Sequence, residues 1–249
     1  MSFAGDDHAA VSDTVLCVGV HRIPLSTTLS EPAPLFSDEW LASEVWPAAG
    51  KLISAMEHRP DLCSLIRAAR LVVELGSGTG ACGLAAAALG AARVLLTDQP
   101  SAVPLLQHNA TTAENLGLRA TIEVRPLCWR ADWDPATSDD ELPSVADLVL
   151  VSDCLNPVYG PTHASELAGT MFALLHRSPD ALGLVAQTAR GKCEAEAAFF
   201  TACRARGLVV RALEARAAST PPGGSTVCVE LYEVRLLKRA LSLAEEQSS

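Results

Sequence analysis

From Arg70 onward the chain alternates short, mostly apolar runs with longer helical patterns, and this alternation constrains the fold more than any other feature. The strand-like runs are 71–75, 93–97, 121–127, 147–152 and 182–187; helical patterns occupy 81–89, 104–116, 163–176 and 193–206. A strand that is apolar on both faces must be covered on both, and strands separated by helices run parallel. The pattern therefore specifies a parallel sheet between two helical layers. At 249 residues and 49% hydrophobic content, the chain has enough apolar side chain for one such domain. Its end breaks the alternation. The runs 208–213 and 226–237 have no helix between them, only a loop holding Pro221, Pro222, Gly223 and Gly224, so they are expected to pair as an antiparallel hairpin.

Upstream, 13–43 mixes β-prone pieces with Pro24, Pro32 and Pro34 and reads as an extension packed on the domain. A helix is expected from Pro47, through Leu52 and Met56, to the break at Arg59-Pro60. The expected organisation is an N-terminal extension (1–43), one α/β domain (44–240) and a flexible polar tail (241–249), with a solvated acidic loop over 135–143.

The strongest local signal is VVELGSGTGACG at 72–83, where a strand hands over to a helix. Gly76, Gly78 and Gly80 permit a sharp turn and a close ligand approach, with helix-start N–H groups facing it. The same letters contain GxGxxG at Gly78, Gly80 and Gly83, so the loop alone leaves a dinucleotide site open. Two acids weigh against one. Glu74 precedes the loop at the carboxyl end of its strand, where it suits an ammonium and repels a pyrophosphate; Asp98 closes the second strand, where a carboxylate accepts ribose hydroxyls. For Glu74 the competing role is to cap a buried backbone group.

Charge and cysteine usage narrow the function classes. A net charge of −10 without any Lys/Arg block lacks the footprint of nucleic-acid binding and favours a basic partner. The first residues have no basic region ahead of an apolar stretch, and no apolar run approaches the length of a membrane span, so a cytoplasmic chain with neither leader nor anchor is expected. The eight cysteines are scattered without a CxxC pair, which fits reduced thiols and no metal site. The chain is expected to work as a monomer.

The runs ELGSGTG, LLTDQPSAVPLLQHN, PLCW and ADLVLVSDC, in that order, resemble the seven-β-strand protein-lysine methyltransferases of family 16, which include the methyltransferase-like 21 subfamily; the likeness extends over about 46–238. The resemblance implies a Rossmann-like class I methyltransferase fold, with a seven-stranded, mostly parallel sheet ending in the hairpin. It implies S-adenosyl-L-methionine as cofactor and a lysine side chain of a non-histone protein as acceptor. The cofactor contacts it implies are Trp46 beside the methionine moiety, Gly76, Ser77 and Gly78 in the loop, Asp98 on the ribose, Trp129 beside the adenine and Ser152 after the fourth strand. Trp40 and Trp133 are read as structural.

On the acceptor side the family carries Asp-x-x-Tyr after the fourth strand. Asp153 fits the acid and is expected to orient the amine, its alternative being to cap a helix starting near Cys154. Asn156 stands where the family has tyrosine, followed by Pro157, Val158 and Tyr159. This departure is similar to the Asn-Pro-Pro-Tyr motif of methyltransferases for planar nitrogens, although there the asparagine directly ends the strand. Asn156 is expected in the catalytic loop and Tyr159 as a substrate contact; His163, nearby, is read as structural. Open alternatives are another nitrogen acceptor (histidine, a protein N-terminus or a small molecule) and an inactive, cofactor-binding interaction module.

Overall fold

Alternate residues of each central strand face opposite cores. In the computed structural model, which describes residues 13–28, 38–133, 142–213, 217–219 and 227–237, the strands β3 (Val72–Leu75), β4 (Arg93–Asp98), β5 (Thr121–Pro126), β6 (Leu148–Ser152) and β7 (Leu182–Thr188) form a parallel array. Val72, Leu96, Leu148, Leu150 and Leu184 point to one core, and Val73, Leu95, Val149, Val151 and Val185 to the other. This two-sided burial is why the inner strands β3, β6 and β7 carry no polar alternation, whereas the edge strand β5 alternates Thr121, Glu123 and Arg125 with Ile122 and Val124.

The first core is covered by α2 (Pro47–His58), α3 (Pro60–Ala68), α4 (Ala81–Leu89) and α5 (Val103–Asn115), through Leu52, Met56, Ile66, Leu84 and Leu106. The second is covered by α6 (Gly160–Arg177) and α7 (Glu194–Ala205), through Leu167, Met171, Leu174 and Phe199. Proline opens both α2 and α3 at a position whose N–H has no helical partner to lose.

The sheet order is β5-β4-β3-β6-β7-β10-β8, with β8 at Leu208–Ala212 and β10 at Val227–Leu236. The last strand does more than form the expected hairpin with β8. It inserts between β8 and β7 and pairs antiparallel with both, Leu231 opposite Ala186 and Val234 opposite Val210. A three-residue strand, β9 (Ala217–Ser219), adds to the free end of β10. The expected class I arrangement is therefore present, with seven strands on the main path and β9 as an extra edge piece. The expected loops at 221–224 and over most of 135–143, and the tail at 241–249, lie outside the described residues.

At the N-terminal side, β1 (Asp13–Val18) and β2 (His21–Ser26) form an antiparallel hairpin, followed by a short helix α1 (Asp38–Ser43). Val18, Ile23 and Leu25 are buried in the first core. No helix among the described residues is long and apolar enough to cross a membrane.

Candidate functional site

Chain order in the sheet reverses between β3 and β6, and a crevice opens there at the carboxyl ends of the strands, where α/β sheets bind ligands. The cavity measures about 320 Å³. Its walls bring together Trp46, Glu74, Gly76, Ser77, Gly78, Asp98, Trp129, Ser152, Asp153, Asn156 and Tyr159, from segments more than a hundred residues apart. Of the expected site residues, only Gly80 stands off the cavity. It opens α4 with φ +85, and a side chain there would strike Leu106, so its glycine serves packing.

The loop after β3 is shaped by what lies against it. Gly76 has φ +66, and a Cβ there would sit 2.6 Å from Cys154 Sγ and 2.9 Å from the Trp129 ring. Gly83 sits one turn into α4 for a different reason: a Cβ would lie 2.2 Å from Leu96. Ser77 ties the loop to β4, its hydroxyl accepting the Thr97 N–H at 3.0 Å and donating to the Glu74 carbonyl at 3.3 Å. Asn109, fully buried on α5, donates to the carbonyls of Thr79 and Ser26, both at 3.0 Å, and accepts the Ser26 N–H at 2.9 Å. The LLQHN run thus contains a residue that sequence reasoning quoted but did not assign.

The two acids are held differently. Asp98 Oδ2 accepts the Gly78 N–H at 2.7 Å and its Oδ1 accepts the Gln99 N–H at 2.8 Å, so backbone donors fix the carboxylate at the end of β4. Glu74 is 2% exposed, and its Oε2 accepts the Gly83 N–H at 2.9 Å. Burial pushes its carboxyl up to about 8, against the lowering effect of the Gly83 N–H. The backbone-capping role and a place on the cavity wall are therefore combined in one side chain. Close by, Ser152 Oγ is buried with no hydrogen-bond partner, its neighbour being the Cys82 thiol, which burial raises well above its usual range. Next to the cavity wall, this enclosed hydroxyl faces the Cys82 thiol and no oxygen or nitrogen partner.

Asp153 is the one non-glycine residue with positive φ among the described residues, at +56. Its Oδ1 accepts from Gln187 Nε2 (3.0 Å), the Thr188 N–H (3.1 Å) and Arg190 Nη1 (2.8 Å). Its Oδ2 accepts from the Thr188 hydroxyl and Arg190 Nη2, both at 2.9 Å. Orienting an acceptor amine needs an oxygen open to the cavity, whereas these five donors occupy the carboxylate and leave its side chain 1% exposed. Nor does Asp153 cap a helix, because α6 begins only at Gly160. Asn156 Oδ1 accepts the Val158 N–H at 3.1 Å, closing the turn into α6. That bond engages the oxygen which a planar-nitrogen motif would offer to its substrate.

Beyond Asn156, His163 stacks on Tyr159 at 4.7 Å between ring centroids and meets Trp129 at 4.6 Å with the rings tilted by 40°. All three line the cavity together with Glu44 and Glu166, and His163 Nδ1 lies 3.7 Å from Glu166. His163, read from sequence as structural, belongs to the site. The signal was its spacing: Tyr159, His163 and Glu166 fall on one helical face. Trp133 is buried and donates to the Thr170 hydroxyl, as a structural tryptophan would. Among the described residues no three His, Cys, Asp or Glu side chains are placed to hold a metal ion.

Residues 37–206 match the family model described as lysine methyltransferase. The chain is 27% identical to the protein N-terminal and lysine N-methyltransferase EFM7 of Candida glabrata, over 68% of this chain and 64% of that protein. It is 30% identical to the protein-lysine N-methyltransferase rrg1 of Schizosaccharomyces pombe, over 59% of this chain and 46% of the relative. With the protein N-lysine methyltransferase METTL21A of Danio rerio it shares 32% identity over 46% of this chain and 52% of the relative. The chain thus spans less than two thirds of the length of each. Among solved structures, a putative RNA methyltransferase from Pyrococcus horikoshii superposes with a TM-score of 0.50 at 21% identity, covering 76% of this chain and 84% of that one. The mitomycin 7-O-methyltransferase MmcR does so with a TM-score of 0.52 at 19% identity, over 80% and 56%. These two likenesses concern the fold alone.

Proposed function

Because the chain belongs to the lysine methyltransferase family, we propose that it transfers a methyl group from S-adenosyl-L-methionine to a lysine side chain of a non-histone protein. The observation that carries this reading is the donor set of the cavity. An acid at the end of β3, a backbone-held acid at the end of β4, an indole and an orphaned hydroxyl surround a glycine loop without a cationic side chain on it. That set suits a ligand with an ammonium, a vicinal diol and an aromatic base, and it offers nothing to a pyrophosphate. Glu74 is assigned to the ammonium, whose positive charge favours the ionised carboxylate that burial alone disfavours; Asp98 is assigned to the ribose hydroxyls, Trp129 to the adenine and Ser152 to the wall between them, and Trp46 closes the methionine end.

When bound, the cofactor supplies an electrophilic methyl group on a sulfonium. The protein's task is then to present a neutral amine in line with it and to exclude water. Asn156 and Tyr159 are the side chains assigned to the acceptor end, and the released proton passes to solvent. Glu44 and Glu166 at the cavity edge, together with the net charge of −10, favour an acceptor set in a basic segment. A single cytoplasmic chain acting as a monomer completes the proposal.

The test is calorimetric titration with S-adenosylmethionine and S-adenosylhomocysteine, with NAD as control, on the native protein, Asp98→Asn and Asp98→Ala. Micromolar binding of both sulfur ligands, weakened at least about tenfold in the variants, is the expected result. Absence of binding by the native protein overturns the reading. Labelled methyl donor on basic peptides then separates acceptors: label is lost on Lys→Arg substitution if the acceptor is a lysine, and on N-terminal acetylation if it is an α-amine.

A further inference from the structure

The most densely bonded charged group near the cavity is the Asp153 carboxylate, and its principal partner, Arg190, was singled out by nothing in the sequence. The guanidinium meets the carboxylate with two parallel bonds of 2.8 and 2.9 Å, the bidentate geometry that fixes orientation as well as distance. The other three bonds come from Gln187 and Thr188 at the end of β7. A left-handed backbone at a non-glycine residue is strained and persists only where its surroundings enforce it. Here the enforcement acts through the side chain of the strained residue itself.

What the strained turn controls is the cavity. On one side of Asp153 stands Ser152 with its orphaned hydroxyl; on the other stands Cys154, whose Sγ lies 3.5 Å from the Leu75 carbonyl and fills the space left by Gly76. One residue further, the Leu155 N–H donates to Gln187 Oε1 at 3.1 Å, so the same network sets the start of the Asn156 loop. Arg190 also lies 6.0 Å from the Trp46 ring centroid, within cation–π reach of another wall of the cavity.

We propose that Arg190 is a positioning residue of the cavity, holding Asp153 in its left-handed turn and thereby setting Ser152 and Cys154 against the glycine loop. The proposal rests on the methyl-transfer reading only for the ligand the cavity takes. Arg190 is 23% exposed at its side chain, so solvent reaches the pair from one edge while the carboxylate stays enclosed. Lysine at this position retains the charge and loses the fork, which separates orientation from simple charge balance.

The experiment measures two things on the native protein, Arg190→Lys, Arg190→Ala and Asp153→Asn. The first is the alkylation rate of Cys154 by iodoacetamide, followed by peptide mass spectrometry, with the core residue Cys203 as the control for global opening. The second is the dissociation constant of S-adenosylhomocysteine. Burial keeps the Cys154 thiol protonated while the turn is closed. Arg190→Ala is expected to speed Cys154 alkylation and to weaken binding, each by about tenfold, with Cys203 unchanged and Arg190→Lys in between. A Cys154 rate equal to native in Arg190→Ala, or one that rises only in step with Cys203, overturns the proposal. A native protein that binds no S-adenosylhomocysteine overturns the methyl-transfer reading instead, and leaves the alkylation result to decide the role of Arg190.

Discussion

A carboxyl group enclosed between strand and helix keeps its proton to a higher pH than the same group in water, and Glu74 is such a group. Its value lies near 8 in the folded chain, against 4.5 for an unperturbed glutamate, principally because burial disfavours the charge. Between those two values the folded state holds a proton that the unfolded chain has released. Stability contributed by this group is therefore present below about 4.5 and lost as the pH rises to about 8. Urea unfolding at pH 5.5 and 8.5 should give the native protein a lower midpoint at the higher pH relative to Glu74→Gln, which lacks the ionisation. Equal pH responses in the two proteins would mean that Glu74 is ionised throughout. The acids themselves, Glu74 and Asp98, were legible because each closes a strand beside the glycine loop. The saturation of Asp153 was not, since its donors at Gln187, Thr188 and Arg190 lie more than thirty residues away in sequence.

Elements were recognisable where burial is two-sided. The 71–75 and 147–152 runs became β3 and β6 because their apolar positions meet a core on each face, and α4 starts and ends where the glycines place it. The short helices α1 and α3 and the β1–β2 hairpin had weaker patterns, and the contacts that hold the hairpin are long-range. Asn109 provides two of these, to Ser26 at the end of β2, and a third bond, to Thr79, that joins the glycine loop to α5. Asn109→Ala strands buried partners on both and should lower the unfolding free energy by about 2 kcal/mol. Urea denaturation gives that figure, and amide exchange at Ser26 should accelerate in the variant. A loss below about 0.5 kcal/mol, the size expected of an ordinary surface change, would show that the hairpin is held by its apolar face alone.

For the whole molecule, the charge distribution bears on encounter with the acceptor. A net −10 with Glu44 and Glu166 at the cavity edge should draw basic peptides in, an attraction that salt screens over about 10 Å at 0.1 M. Raising ionic strength from 50 to 500 mM should lower kcat/KM for a lysine-bearing basic peptide severalfold, while S-adenosylhomocysteine affinity changes little. A kcat/KM independent of salt would remove electrostatic steering as the basis of acceptor choice. The parallel sheet, the terminal antiparallel pair and the strand ends that line the cavity followed from the sequence, because apolar period, glycine placement and strand-end acids are local and each has few physical solutions. Tertiary structure alone decided the insertion of β10 between β7 and β8, the placing of Trp129 against His163, and the clamp of Arg190 on Asp153. Each joins groups whose separation is short in space and set by the packing of whole elements, a quantity that no local spacing encodes.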